Sequence, residues 1–306
     1  MDGILNIDKP AGITSHGVVA RVKKLSGERK VGHAGTLDPA ATGVLPVCLG
    51  RATRIVEYLM DTSKVYLTEI MLGLTTDTYD TTGQILDEKP VTGISLGTLE
   101  KALETFVGVI EQLPPMFSAV KHQGQPLYRM ARSGIAVERK SRIAHIYRLE
   151  LLDWQPPLLT IEMECGKGTY VRTLAHDLGT LFGCGGVVNS LRRLRCGFFD
   201  IRQAVPLDTL TEATDDGNLA SYVQPADSAI RHIPWVEIDE KSETAMRQGK
   251  RLDLAAVKPG DLGAPADYIN QLNHLYRAYN KQQQFIGMLV FNPINEQFRP
   301  AKVFIQ

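Results

Sequence analysis

Residues 31–50, VGHAGTLDPAATGVLPVCLG, set four glycines and two prolines around a single acid, Asp38. A helix interior accepts neither residue type well, at about 1 kcal/mol for Gly and about 3 kcal/mol for Pro. The stretch therefore reads as a glycine-punctuated loop that the rest of the fold must frame. Glycine lets a backbone pass close to a ligand, and an aspartate held there can serve as base or nucleophile. Taken alone, Asp38-Pro39 reads first as a turn. His33, upstream in the same stretch, is open to three readings: a structural hydrogen-bonding residue, an acid–base partner or a metal ligand. No His-x-x-x-His or Cys/His cluster supports a metal. The loop does not end in Gly-Lys-Ser/Thr and no spaced G-x-G-x-x-G opens a helix, which argues against a nucleotide triphosphatase. Without a G-x-S-x-G elbow, a serine hydrolase of the α/β type has no nucleophile.

The flanking sequence alternates strand and helix signals. Residues 3–8 suggest a short strand, broken by Lys9-Pro10-Ala11-Gly12. Thr14 and Ser15 can cap a helix marked by Val18, Val19, Val22 and Leu25, with Gly27 as its stop. Residues 51–60 and 98–107 read as helices, and 64–73 and 83–88 as strands joined by the polar hairpin connection TTDTYDTT. Residues 158–164 alternate as a strand ahead of a helical run from 169 to 181. From about Pro234, glycines and short apolar runs such as 284–291 predict a small β-rich domain.

Lys plus Arg and Asp plus Glu each number 34, so the formal net charge is zero and any electrostatic argument is local. Between Pro114 and Arg148 lie Lys121, Arg129, Arg132, Arg139, Lys140, Arg142 and Arg148 against the single acid Glu138, interleaved with Phe117 and Tyr128. A second cluster holds Arg192, Arg193, Arg195 and Arg202. Bases interleaved with aromatics suit a phosphate-backbone surface, and a solvated face is the alternative. Pro114-Pro115, Gly124 and Gly134 punctuate the first cluster, which is expected to form a flexible arm that closes over RNA. Residues 207–243 are rich in acids, and the composition changes near residue 230. Cys48, Cys165, Cys184 and Cys196 form no Cys-x-x-Cys pair, so reduced thiols in a cytoplasmic protein are expected. The first ten residues carry charges and no continuous apolar core of a signal peptide, and no window approaches the roughly 18 apolar residues of a membrane span.

The string His33-Ala34-Gly35-Thr36-Leu37-Asp38-Pro39-Ala40-Ala41-Thr42-Gly43 closely resembles the signature of bacterial TruB-type tRNA pseudouridine 55 synthases. Asp8-Lys9-Pro10-Ala11-Gly12, Lys64-Val65-Tyr66, the run from Pro115 to Lys121, the run from Gly168 to Leu174, and Leu191-Arg192-Arg193-Leu194 follow in that family's order. The resemblance runs from Gly3 to about Val205 and narrows, after about residue 234, to the outline of a PUA-like RNA-binding domain. It implies an α+β fold with a mixed, largely antiparallel sheet flanked by helices. The implied division is a catalytic domain over 1–233, with a basic RNA-binding insertion at 114–148, and a PUA-like domain over 234–306. It implies that Asp38 is the essential carboxylate, that Arg172 pairs with it, and that Tyr66 stacks on the target base. His33 would sit with the RNA around a flipped nucleotide, Tyr170 would line the base pocket, Leu191 would contact the substrate, and Lys9 and Pro10 would buttress the loop. The implied substrate is the T-arm of tRNA, with no cofactor, no metal, no membrane and no obligate protein partner, the chain acting as a monomer. An arginine beside Asp38 should favour its charged form. A noncatalytic RNA-binding protein and a pseudouridine synthase for another RNA are the rival readings.

Overall fold

In the computed structural model, which describes residues 1–135, 137–260 and 275–304, the chain opens with β1 (Gly3–Lys9), buried at almost every position. Helix α1 (Ser15–Ser26) starts where the Thr14 side chain accepts a hydrogen bond from the Gly17 amide and stops at Gly27, whose φ of 67° is left-handed. Such an N-cap is worth roughly 1 kcal/mol. Val18, Val19 and Val22 turn inward from this helix.

The stretch 31–50 is not loop throughout. It holds β2 (Val31–His33) and β3 (Thr42–Leu49), which leaves the loop proper at 34–41. Strand β3 pairs antiparallel with β1 from Gly3 opposite Leu49 to Lys9 opposite Gly43. It is covered on both sides, so its apolar run shows no alternation and its glycines and Pro46 hid it.

Residues 51–60 make a 3-10 turn (Gly50–Ile55) and then α2 (Val56–Met60). The chain continues through β4 (Lys64–Leu72), β5 (Leu74–Thr76), β6 (Ile85–Glu88), α3 (Leu96–Glu104) and β7 (Gly108–Gln112). The hairpin expected between 64–73 and 83–88 is displaced: β6 pairs with β5, while β4 joins the main sheet. Next come the two-residue strands β8 (Lys121–His122) and β9 (Gln125–Pro126), then α4 (Leu127–Arg132) and β10 (Arg142–Gln155). The basic segment is thus not one unit, because 142–148 already lies in β10, where Ala144 and Ile146 alternate into the core. After β11 (Leu158–Cys165) and α5 (Val171–Leu181) follow β12 (Gly186–Cys196), β13 (Phe199–Asp200), β14 (Val205–Pro206) and α6 (Leu207–Asp215).

These strands form a ten-stranded mixed sheet in the order β14-β1-β3-β12-β4-β11-β10-β7, with β2 on β3 and β13 on β12. The β1–β14 and β12–β3 pairs are parallel and the others antiparallel. Helices α1, α3 and α5 cover one face with Val18, Val22, Leu99, Leu103, Leu174 and Leu178. Because β12 lies between β3 and β4, Arg193 stands opposite Gly43 on one side and Tyr66 on the other.

The remaining strands build a separate sheet: β15 (Trp235–Ile238), β16 (Leu252–Asp253), β17 (Val257–Pro259), β18 (Leu275–Tyr279), β19 (Phe285–Asn292) and β20 (Gln297–Val303), with α7 (Glu240–Arg247) against it. Its order is β16-β20-β19-β18-β15-β17. Of the segment 234–306 read as one domain, 261–274 and 305–306 lie outside the described residues. Met288, Phe285 and Phe304 join a core with Ile55 and Ile230, and Arg54 donates to the Val303 carbonyl at 2.5 Å, which docks this β-rich unit against the first. All four cysteines are buried free thiols.

Candidate active site

The loop 34–41 is held from three sides. From below, the Lys9 ammonium donates to the carbonyls of Pro10 at 2.9 Å, Ile13 at 2.7 Å and Pro39 at 3.1 Å, and Gly12 adds a backbone bond to Pro39. Lys9 is fully buried, and burial pushes its pKa down to about 8, with Asp38 opposing and Arg193 adding to the fall. From the start of α1, the buried Ser15 hydroxyl accepts from the Leu37 amide at 2.8 Å and donates to the Leu37 carbonyl at 3.0 Å. From β12, Arg193 donates to the carbonyls of Gly35 at 3.0 Å and Val44 at 2.7 Å. Gly43 has φ 98°, and a Cβ there would lie 2.2 Å from the Arg193 carbonyl oxygen, so only glycine fits.

Asp38 emerges from this frame next to Arg172 in the first turn of α5. Arg172 Nε lies 2.9 Å from Asp38 Oδ2, and its Nη2 donates to Oδ1 at 3.1 Å, a two-pronged pair. The rest of the guanidinium is used as well, donating to the carbonyls of Thr78 at 3.0 Å and Phe117 at 2.8 Å, with Asp80 at 3.9 Å. Only 7% of the Arg172 side chain is accessible, against 37% of Asp38, so the arginine is structural floor and the carboxylate faces outward. Burial raises the Asp38 pKa above its ordinary value, with Arg172 pulling against it, Asp80 reinforcing it, and the Arg172 hydrogen bond and Lys9 opposing. Arg172 does favour the charged form, as its place beside Asp38 predicts, but burial is the larger influence.

Tyr170 caps α5, and Gln112, buried in β7, grips its backbone by accepting from the amide at 2.9 Å and donating to the carbonyl at 3.2 Å. The Tyr170 phenol is pushed up by burial and opposed by Ser118, Arg142 and Arg172, with Asp38 also acting on it. Tyr66 lies on the helix-covered face of the sheet between Met163 and Arg193, 9% exposed, and Leu191 packs against the same core two register positions along. Burial pushes the Tyr66 phenol up to about 12, and the nearby guanidinium of Arg193 acts in the opposite direction. His33 sits at the end of β2 near His16 and Arg193, with its pKa lowered by burial first. Its buried Nδ1 has no partner among the described residues, and no hydrogen bond joins it to Asp38.

Sequence reasoning passed over Ser15, Asp80, Gln112 and Arg193. Asp80 lay in the presumed hairpin connection; its Oδ1 accepts from the hydroxyls of Thr78 at 2.8 Å and Thr82 at 2.6 Å, shaping the turn whose Thr78 carbonyl holds Arg172. Between them Tyr79 adopts φ 63° and stacks on His176, one turn beyond Arg172, at 4.0 Å. A non-glycine residue at positive φ costs free energy and persists only where its surroundings hold it.

In the second basic cluster the bases other than Arg193 are already paired with acids. Arg192 pairs with Asp8 at 2.8 Å, Arg195 with Glu164 at 2.6 Å and Arg202 with Asp200 at 2.8 Å, while Arg193 is buried. Asp8 on β1 and Glu164 on β11 each lie one strand beyond the neighbours of β12, a pairing invisible in linear sequence, whereas Asp200 stands two residues before Arg202. In the first cluster Arg148 is taken by Glu150 and Glu162, and Arg139 donates to the Pro114 carbonyl at 2.9 Å. Lys121, Arg129, Arg132, Lys140 and Arg142 are exposed and have no carboxylate partner among the described residues.

Residues 23–171 match the TruB family pseudouridylate synthase N-terminal domain, and residues 172–231 match the tRNA pseudouridylate synthase B C-terminal domain. A protein of Dehalococcoides mccartyi (strain CBDB1) named tRNA pseudouridine synthase B is 44% identical over 306 residues, covering 100% of this chain and 97% of that protein. One of the same name from Syntrophotalea carbinolica is 50% identical over 238 residues, covering 78% of each. Among solved structures, a chain of a Cbf5-Nop10-Gar1 complex superposes with a TM-score of 0.73 at 26% identity, over 99% of this chain and 84% of that one. With its mixed sheet, flanking helices and C-terminal β-rich, PUA-like unit, and with these matches along most of its length, the chain belongs to the TruB family of pseudouridylate synthases.

Proposed function

We propose that the protein isomerises uridine 55 in the T-arm of tRNA to pseudouridine, with Asp38 as the reacting carboxylate. The observation that carries this reading is the accessible carboxylate of Asp38, gripped at two oxygens by a buried arginine and set on a loop tied down by Lys9, Ser15 and Arg193. The names of the relatives supply the RNA class, tRNA.

The reaction breaks the bond from ribose C1' to N1 of uracil, turns the base and joins C1' to C5. C5 gives up its proton and N1 ends protonated, so nothing is lost, oxidised or transferred to another molecule. A folded RNA hides the scissile bond, so the nucleotide must leave its stack at a cost of a few kcal/mol. Tyr170 beside Asp38 and Tyr66 beneath the site offer aromatic surface, worth about 1–3 kcal/mol per stacked base. A carboxylate can attack carbon or remove the C2' proton, and either route requires the ionised form. The two-pronged guanidinium holds that form and its orientation against the opposing effect of burial. In this reading His33 meets the RNA next to the flipped nucleotide, Leu191 contacts the base, and Lys9 with Pro10 supports the loop. The protein works as a monomer without cofactor or metal, and residues 1–233 and 234–306 act as catalytic and RNA-binding domains.

The test is to incubate the protein with unmodified tRNA and map pseudouridine at single-nucleotide resolution. Product at position 55 alone is expected. Product confined to another site or another RNA would replace the substrate assignment, and the absence of product with any RNA would favour a noncatalytic RNA-binding protein.

A further inference from the structure

Arg193 is 1% exposed, and no carboxylate among the described residues pairs with it. Its hydrogen-bond partners are neutral, the carbonyls of Val44 and Gly35. A guanidinium taken from water costs several kcal/mol, and neutral acceptors offset less of that than a carboxylate would. The neighbours add to the cost, since Lys9, Lys64 and His33 each feel Arg193 as a repelling charge. An apolar residue of similar volume would fill the space with less desolvation. Packing therefore does not account for an arginine here.

The connections do. Gly35 precedes Asp38 and Val44 follows it, so two donors of one rigid fork hold both ends of the loop that carries the carboxylate. The backbone ties the same residue to β4, with Arg193 in register with Gly43 on one side and Tyr66 on the other. We propose that Arg193 is a positioning residue that fixes the Asp38 loop relative to Tyr66 across β12, so that both meet the same flipped uridine. The proposal rests on the functional reading above, and it assigns the arginine no contact with substrate.

The experiment compares Arg193→Met and Arg193→Lys, each with Tyr66 intact and with Tyr66→Leu. Single-turnover pseudouridine formation is measured at saturating protein on a T-arm stem-loop, alongside RNA affinity, melting temperature and amide hydrogen exchange of residues 34–44. With Tyr66 intact, Arg193→Met should slow the reaction about 100-fold, the scale of a misplaced catalytic group, while affinity changes less than about threefold. Arg193→Lys, keeping the charge but not the fork, should recover part of the rate and guards against a methionine variant that fails to fold. In the Tyr66→Leu background the loss from Arg193→Met should shrink at least about tenfold, because the ring that the loop is aligned with is gone. Exchange in 34–44 should quicken in the Arg193 variants whether or not the protein modifies RNA, which separates this proposal from the functional reading. Losses that multiply independently, or unchanged exchange and rate in a folded Arg193→Met protein, overturn it.

Discussion

Loop 34–41 and segment 114–141 both contain little regular structure, yet they are held in opposite ways. The loop is fastened by three buried polar side chains, Lys9, Ser15 and Arg193, and its acid is gripped by a fourth, Arg172. The segment touches the site through the Phe117 carbonyl, and beyond it carries exposed bases with no acid paired to them among the described residues. The first arrangement holds its carboxylate rigidly, as a reacting group would require. The second leaves charge free to adapt to a phosphate backbone. Changes in the loop should therefore strike the rate and changes in the segment should strike affinity.

The sharpest test of that division is Asp38→Asn, which keeps size and hydrogen bonding but removes the negative charge. Single-turnover formation of pseudouridine should fall by about 10⁴-fold or more, with RNA affinity nearly unchanged. Substantial product from the variant would remove Asp38 from the mechanism and blur the contrast altogether.

Next in size is the cost of the fastening itself. Lys9 has a folded-state pKa of about 8, against an ordinary 10.5, so between those values the unfolded chain binds more protons and stability rises with pH. Wild type should gain of order 1–3 kcal/mol across this window relative to Lys9→Met. Denaturant titrations at pH 7.5 and pH 10 would measure the difference between the two proteins. Equal slopes would mean that Lys9 is not strained by burial.

A smaller effect is expected from the other region. Replacing Lys121, Arg129 and Arg132 together by Ala should weaken binding of a T-arm stem-loop and flatten the plot of log affinity against log salt by about 2 units, at roughly 0.7–0.9 per lost phosphate contact. The rate on saturated RNA should change little. If affinity and slope match wild type, the segment is a solvated face.

The smallest change is expected from the second basic cluster, whose bases already have acid partners. Arg192→Ala and Arg195→Ala break half-buried pairs with Asp8 and Glu164, worth about 1 kcal/mol in thermal denaturation. Neither should alter the salt slope. A drop of a full unit would return β12 to the RNA interface.

Much of the local structure was legible from the sequence. Thr14 and Gly27 mark the ends of α1 because caps are local chemistry, and β11 and α5 show their periods directly. Strand β3 was hidden because a strand covered on both faces does not alternate. The 64–88 hairpin was misplaced because β4 gains more by pairing with β11 and β12 than with its sequence neighbour. At the site, Asp38 was found as an acid among glycines, whereas Asp80 looked like an ordinary turn residue and Gln112 left no motif.

By itself the sequence determined which residue types could react and which segments could bend: one acid in a glycine frame, a capped helix after β1, and a family resemblance carried by contiguous strings. Only the tertiary structure decided what each charge does. Arg172, Arg193, Arg195 and Arg129 are the same residue in sequence, but the fold makes the first the grip on Asp38, the second a buried tie and the third half of a surface pair. It leaves the fourth exposed, with no acid beside it among the described residues. The reason is that the free energy of a charge depends on its solvent and on the partners within a few ångströms, and β12, lying between β3 and β4, draws those partners from distant parts of the chain.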